Sequence, residues 1–185
     1  MSDASSQLAD IQSILGAKIV EALRVQGDDV VMLERTGLRE SFRALRDQLE
    51  FGFLSDITAV DYWRIKAPRF EVVYQLLSLT QRRRLRLRVA VPEEDALVDS
   101  LTPLWPGANF LEREVWDLYG IRFNGHPDLR RILLYDEFQG HPLRKDYPVN
   151  LCQPRVPERQ VDGTFVDERS HHKLLRLQKT LSSKR

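Results

Sequence analysis

Residues Arg83 to Val91 alternate strictly: Leu85, Leu87, Val89 and Val91 fall on one parity, and Arg84, Arg86 and Arg88 on the other. Side chains of a strand point in turn to opposite faces, so this period of two places these three arginines on one side of a sheet and these four aliphatics on the other. Such a sheet has one face to bury and one that tolerates water, which calls for helices on the apolar side. The cationic face admits two readings. It is a solvated surface on which arginine stems cover apolar neighbours, or it docks an acidic partner or nucleic acid. With 28 basic against 27 acidic residues, the composition favours the solvated surface.

The flanking segments fit that frame. Leu54–Trp63 and Phe70–Leu79 read as two further strands, and Val30–Leu33 as a short one after the Gly27-Asp28-Asp29 turn. Ile19–Val25 is open between helix and strand. Leu8, Ile11 and Leu15 recur at helical spacing before Gly16. Leu38, Phe42, Leu45 and Leu49 form one apolar stripe of a second helix, with Thr36 as its expected cap. Pro92 with Glu93, Glu94 and Asp95 predicts a short helix running to Leu101, and Asn109–Tyr119 a longer one closed by Gly120. Strands joined by short turns favour antiparallel pairing. The expected fold is α+β: a mostly antiparallel sheet packed with helices on one face over residues 1–135, then an extended tail over 136–185. Pro142, Pro148, Pro154 and Pro157 punctuate that tail, which is expected to lie on another protein; Ser170–Leu181 reads as a short basic helix within it.

Composition narrows the function. With 42% hydrophobic and 30% charged residues in a chain of 185, an ordinary globular core is expected. The one cysteine, Cys152, forms no intramolecular disulfide and cannot hold an iron–sulfur cluster, which typically takes about four. No basic residue precedes Lys18, and no stretch of about 18 apolar residues occurs, so neither a leader peptide nor a membrane span is expected.

Standard catalytic motifs are absent. No GxGxxG, GxxxxGK, GxSxG, HxxxH or CxxC is present, and His126, His141, His171 and His172 read as surface or loop histidines. The densest chemistry is Glu112-Arg113-Glu114 followed by Asp117 and Tyr119. Arg113 and Asp117 stand four apart and are expected to pair; Glu112 and Glu114 could serve as a carboxylate pair, or as acids that satisfy nearby arginines. A helix carrying Trp116, Tyr119 and Arg113 also suits an interface hot spot. His141-Pro142-Leu143-Arg144-Lys145-Asp146-Tyr147-Pro148 reads as a stiff loop, exposed or anchored on a partner.

These residues carry a resemblance. Glu112-Arg113-Glu114, Asp117-Leu118-Tyr119, His126 and Arg130 with Ile132-Leu133 resemble the signature of the 30-kDa subunit family of respiratory complex I, the proton-pumping NADH–quinone oxidoreductase. Gly140 to Pro148, with His141, Pro142, Arg144, Lys145 and Asp146, is similar to that family's second hallmark. Ser55 to Tyr62 is similar to a third. The likeness spans roughly Leu54 to Pro148.

The resemblance implies a non-redox structural and assembly subunit in the quinone module of the hydrophilic arm. It implies no catalytic, cofactor-binding or metal-binding residue in this chain, with NADH, FMN, iron–sulfur clusters and quinone used by other subunits. The signature residues would then organise the fold and the contact with partners: the large quinone-site subunit of the 49-kDa type and neighbouring cluster-bearing subunits. Nucleic acid is not among the implied partners. Membrane association would be indirect, peripheral, on the cytoplasmic side of the cell inner membrane. The alternatives are the equivalent subunit of a membrane-bound hydrogenase or ferredoxin-dependent complex, a nucleic-acid-binding module using Arg82–Arg88, and a stand-alone hydrolase using Glu112 or Glu114.

Overall fold

The computed structural model describes residues 7–154 and the backbone of 3–6, 158–159 and 165–166. The expected basic helix at Ser170–Leu181, with His171 and His172, lies outside the described residues. Two compact units divide the chain: residues 1–136 with 140–149, and residues 137–139 with those from 150 onward. In the second unit, Gln139 and Gln153 join through two bonds of 2.8 and 3.0 Å, and Glu158–Arg159 pairs antiparallel with Phe165–Val166.

In the first unit, helix α1 (Asp3–Leu15) and a 3-10 turn lead into strands β1 (Ile19–Val25) and β2 (Asp28–Leu33). Helix α2 (Leu38–Gln48) follows, then β3 (Phe53–Asp61), β4 (Phe70–Ser78) and β5 (Arg83–Val91). Short β6 (Leu97–Asp99), helix α3 (Ala108–Tyr119) and β7 (Arg122–Asn124) complete it. The five-stranded sheet runs β1-β2-β5-β4-β3; every ladder is antiparallel except β2 with β5.

Register explains the burial. Val31, Leu87, Tyr74 and Ile57 stand side by side across four strands, and Leu33, Val89, Val72 and Ala59 form the next such row. All eight are buried, and they make the floor on which Ile11 and Leu15 of α1 and Leu38, Phe42 and Leu45 of α2 pack. Phe42 meets the Tyr74 ring edge-on at 4.8 Å and Trp105 at 6.1 Å. Each such ring contributes roughly 2–3 kcal/mol through area removed from water. On the opposite face, Glu71 takes Arg88 and Lys66 together, and Arg86 stands 3.5 Å from Asp28. The alternation that predicted a two-sided strand is thus realised, and the charged side consists partly of diagonal ion pairs.

Three local expectations are corrected. Gly37, not Thr36, caps α2, because the chain turns there through the left-handed region (φ 69°) with Lys18 Nζ 2.9 Å from where a Cβ would sit. Residues 92–96 form turns and not a helix. Arg35 takes the Asp95 carbonyl at 2.8 Å, the Leu97 carbonyl at 3.1 Å and the Asp95 carboxylate at 2.6 Å, and β6 pairs in parallel with β7. The boundary expected at Asp136 does not mark the end of the core unit, since Gly140–Val149 belongs with it. Ile19–Val25 resolves as a strand, paired along β2. Among the described residues, no helix is long and apolar enough to cross a membrane.

The Tyr74 hydroxyl is buried without a hydrogen-bond partner. A buried orphan of this kind costs about 1–3 kcal/mol. Tyr74→Phe keeps the ring against Phe42 and is expected to raise stability by about 1 kcal/mol in urea denaturation; a clear loss would show that the hydroxyl is satisfied in solution.

Candidate functional site

The C-terminal end of α3 organises most of the signature residues. A helix leaves its last four carbonyls without intrahelical donors. Here each has one. Gly120 N–H donates to the Trp116 carbonyl at 2.8 Å, and His141 Nδ1 to the Asp117 carbonyl at 2.9 Å. Leu143 N–H reaches the Leu118 carbonyl at 3.1 Å, and Arg144 Nε the Tyr119 carbonyl at 2.6 Å. Two prolines stiffen the segment that supplies three of these donors. Gly120 is required twice over: its φ is 76°, and a Cβ would stand 2.6 Å from His141 Cδ2.

Asp117 holds the chain that returns to α3. One carboxylate oxygen meets Arg131 Nη1 at 2.6 Å, and the other accepts the N–H groups of Ile132, Leu133 and Leu134 at 3.1, 2.9 and 2.9 Å. Burial pushes this carboxyl up, yet the amides and the Arg131 guanidinium outweigh it and hold the group below the usual carboxylate range. The expected Arg113–Asp117 pair is therefore not formed. Asp117 faces the returning chain, while Arg113 donates to the Arg130 carbonyl at 3.1 Å and the Arg131 carbonyl at 2.9 Å. His126 uses both ring nitrogens, Nε2 toward the Asn109 carbonyl at 3.1 Å and Nδ1 accepting from Asp128 N–H at 3.0 Å. Arg130 points outward and pairs with Asp128 at 2.9 Å.

A second tie binds the loop to the sheet. Arg69 is buried, bidentate to Asp61 at 2.9 and 2.8 Å, and reaches Asp146 at 2.5 Å and Glu93 at 2.5 Å. Asp61 also accepts Lys145 N–H at 2.8 Å and Trp63 N–H at 2.9 Å. Asp61 and then Asp146 raise the Arg69 guanidinium; burial works against ionised Asp61, but Arg69 and the two amides keep it lowered. Arg144 lies 5.2 Å over the Phe70 ring. Neither Arg69 nor Glu93 stood out in the sequence as part of a site. Asp61 lies in the third hallmark, and it continues the inward parity of Ile57 and Ala59 and so carries a charge toward the core.

Glu112 and Glu114 part company. Glu112 is 0% exposed and accepts Leu101 N–H at 2.6 Å and Ser100 Oγ–H at 2.7 Å. Burial raises its carboxyl to about 7. Glu114 is exposed on the same helix. The two acids thus form no catalytic pair. Tyr119 and Pro142 are half-buried between the loop and α3; Lys145 is exposed and engages through its backbone. Burial pushes the His141 imidazole down. Among the described residues, no group of three or more His, Cys, Asp or Glu is arranged to hold a metal. Outward on these segments stand apolar Phe110 (61% exposed), Leu133 (60%), Leu143 and Tyr135, together with charged Glu114, Arg130 and Lys145.

A carboxyl raised by folding contributes stability that is full below its ordinary pKa of 4.5 and fades as pH rises through about 7. Between pH 5 and 8 the wild type should lose about 2.5 kcal/mol of this contribution. Glu112→Gln, whose amide can accept from Leu101 and donate to Ser100, should flatten that dependence; parallel denaturation curves for the two proteins would contradict the assignment. Asp117→Ala strands Arg131 and three amides, for which about 3–5 kcal/mol is expected. Hydrogen exchange should show residues 132–134 losing protection before the sheet does.

The family described as "Respiratory-chain NADH dehydrogenase, 30 Kd subunit" matches residues 31–152. An NADH-quinone oxidoreductase subunit from Geobacter sulfurreducens is 42% identical over 149 residues, which is 80% of this chain and 92% of that protein. Its counterpart of the same name in Roseiflexus sp. is 44% identical over 149 residues, covering 80% and 85%. A solved trypsin-resistant fragment of Nqo5 matches with a TM-score of 0.60 at 37% identity, covering 68% of this chain and 98% of the fragment. A chain from an archaeal membrane-bound sulfane sulfur reductase matches with a TM-score of 0.70 at 20% identity, covering 80% and 88%, a likeness of fold alone.

Proposed function

This chain belongs to the 30-kDa subunit family of the respiratory-chain NADH dehydrogenase, and from that premise we propose that it is the non-redox scaffold of the quinone module in an NADH–quinone oxidoreductase. Electrons would pass from NADH through FMN and iron–sulfur clusters in other subunits to quinone, coupled there to proton translocation. The isolated chain would not catalyse the reaction. The observation that carries this reading is the closed end of α3. Four of its charged signature residues, Glu112, Arg113, Asp117 and Arg144, spend their bonds inside the fold, on backbone carbonyls, backbone amides and buried side chains. Such groups hold a surface still, and none is left arranged as a nucleophile or general base.

The surface so held bears Phe110, Leu133, Tyr135 and Leu143, exposed apolar side chains with Glu114 among them on α3. Exposed apolar groups on a rigid polar frame suit a permanent protein contact. The proposed occupant is the large quinone-site subunit, with cluster-bearing subunits nearby, on the cytoplasmic side of the membrane. The relatives named as NADH-quinone oxidoreductase subunits favour NADH over a hydrogenase or ferredoxin partner.

Paired substitution Leu133→Glu with Leu143→Glu should leave the isolated chain within about 0.5 kcal/mol of wild type, because both side chains face outward. The same pair should abolish co-purification of the large subunit and NADH–quinone activity from detergent-solubilised membranes. Normal assembly of that variant would refute the assigned contact. Recovery of the wild-type chain without any respiratory partner would refute the function.

A further inference from the structure

The opposite end of the sheet is electrostatically unfinished. The β1–β2 and β4–β5 turns lie side by side there, because β2 and β5 run parallel from Asp28 and Arg83. They gather Arg24, Arg82, Arg83, Arg84 and Arg86 against Asp10, Asp28 and Asp29. The three ion pairs formed are loose: Arg24–Asp29 at 3.8 Å, Arg83–Asp10 at 3.6 Å and Arg86–Asp28 at 3.5 Å. In the same molecule Arg69–Asp61 closes to 2.8 Å and Arg131–Asp117 to 2.6 Å. Arg82 and Arg84 are exposed and have no side-chain partner among the described residues. Arg82 also sits in the left-handed region at φ 53°.

Two adjoining hollows open between these groups, of about 290 and 380 Å³, sharing Arg84 and Asp28. The second is lined by Asp29, which is 5% exposed and whose Oδ1 accepts no hydrogen bond. Cations in excess therefore stand beside one buried acceptor that lacks a donor. Gln75, Ser55 and Gln81 border the same hollows with groups that match a peptide backbone.

We propose that this corner docks an acidic, extended segment of another protein chain, its carboxylates pairing with Arg84 and Arg82 and its backbone meeting Gln75, Gln81 and Ser55. A bare anion would leave the Gln75, Gln81 and Ser55 groups that border the hollows unused. A nucleic-acid backbone is disfavoured because Asp28 lines both hollows and would face phosphate, and no aromatic ring lines either for a base to stack on. Discrete acidic side chains, spaced by neutral backbone, avoid that conflict. The surface is built from elements other than α3 and does not depend on what α3 contacts.

The test is crosslinking from a photoreactive benzoylphenylalanine placed at exposed Gln81 of the full chain in its source membranes, with the attached peptide sequenced by mass spectrometry. The expected product is a protein segment in which Asp and Glu outnumber Lys and Arg, and its yield should fall about tenfold in the variant R84E/R86E. Arg84→Gln, which removes a side chain with no partner, should give an intermediate loss with unchanged circular dichroism. Four results would overturn the proposal: no crosslink, a crosslink to nucleic acid or lipid, a segment without excess acid, or an undiminished yield in R84E/R86E. The crosslink is read whether or not the large quinone-site partner is recovered with the chain, so failure here and failure of the scaffold reading are separate outcomes.

Discussion

The end of α3 is the point on which the irregular segments of the core unit that follow it depend. A helix that stops inside a protein must find donors for four carbonyls, and a segment without regular structure must find partners for its own backbone. Here each solves the other's problem. Residues 141–144 bring donors to the helix, and the Asp117 carboxylate gathers the amides of residues 132–134. At about 0.5–1.5 kcal/mol net per bond, no one of these contacts decides the fold, but together they make a several-kcal/mol junction out of turns and prolines. Its geometric condition is the missing Cβ of Gly120, without which His141 could not approach.

The Asp61–Arg69–Asp146 cluster complements that junction from the sheet side. Burying ions is costly, and these are tolerated only because each carboxylate oxygen and most guanidinium N–H groups are met at short distance. Such groups favour one arrangement of loop on sheet over near alternatives. The contrast is the far end of the sheet, where Arg–Asp distances are long and one Asp29 oxygen meets no donor among the described residues.

What was readable beforehand follows the range of the interaction. The two faces of Arg83–Val91, the stripe of α2 and the helix closing at Gly120 rest on neighbours one to four residues apart, and the structure reproduces them. Contacts between distant segments were not readable. Local spacing offered Arg113 to Asp117, but Arg131 arrives from the returning chain and takes the carboxylate. Local composition offered a helix after Pro92, but Arg35 captures the carbonyls that helix would have used. Thr36 looked like a cap, but the turn needed a left-handed residue and Gly37 supplied it. The spacing of the signature residues did not show their separate places, Glu112 inside and Glu114 outside, because these depend on which face of α3 meets Ser100.

The order β1-β2-β5-β4-β3 also bears on how the chain reaches its native state. β3, β4 and β5 join by hairpins between successive strands, contacts that close quickly because little chain entropy is lost. The β1–β2 hairpin is equally local, but its parallel seam with β5 brings Val31 beside Leu87 across the whole of α2, β3 and β4. On a ribosome the first hairpin therefore emerges long before the strand it must join. Its apolar residues Val31 and Leu33 wait for β5 to be synthesised, so this amino-terminal piece has the longest exposure to chaperones and to misassociation during the protein's birth.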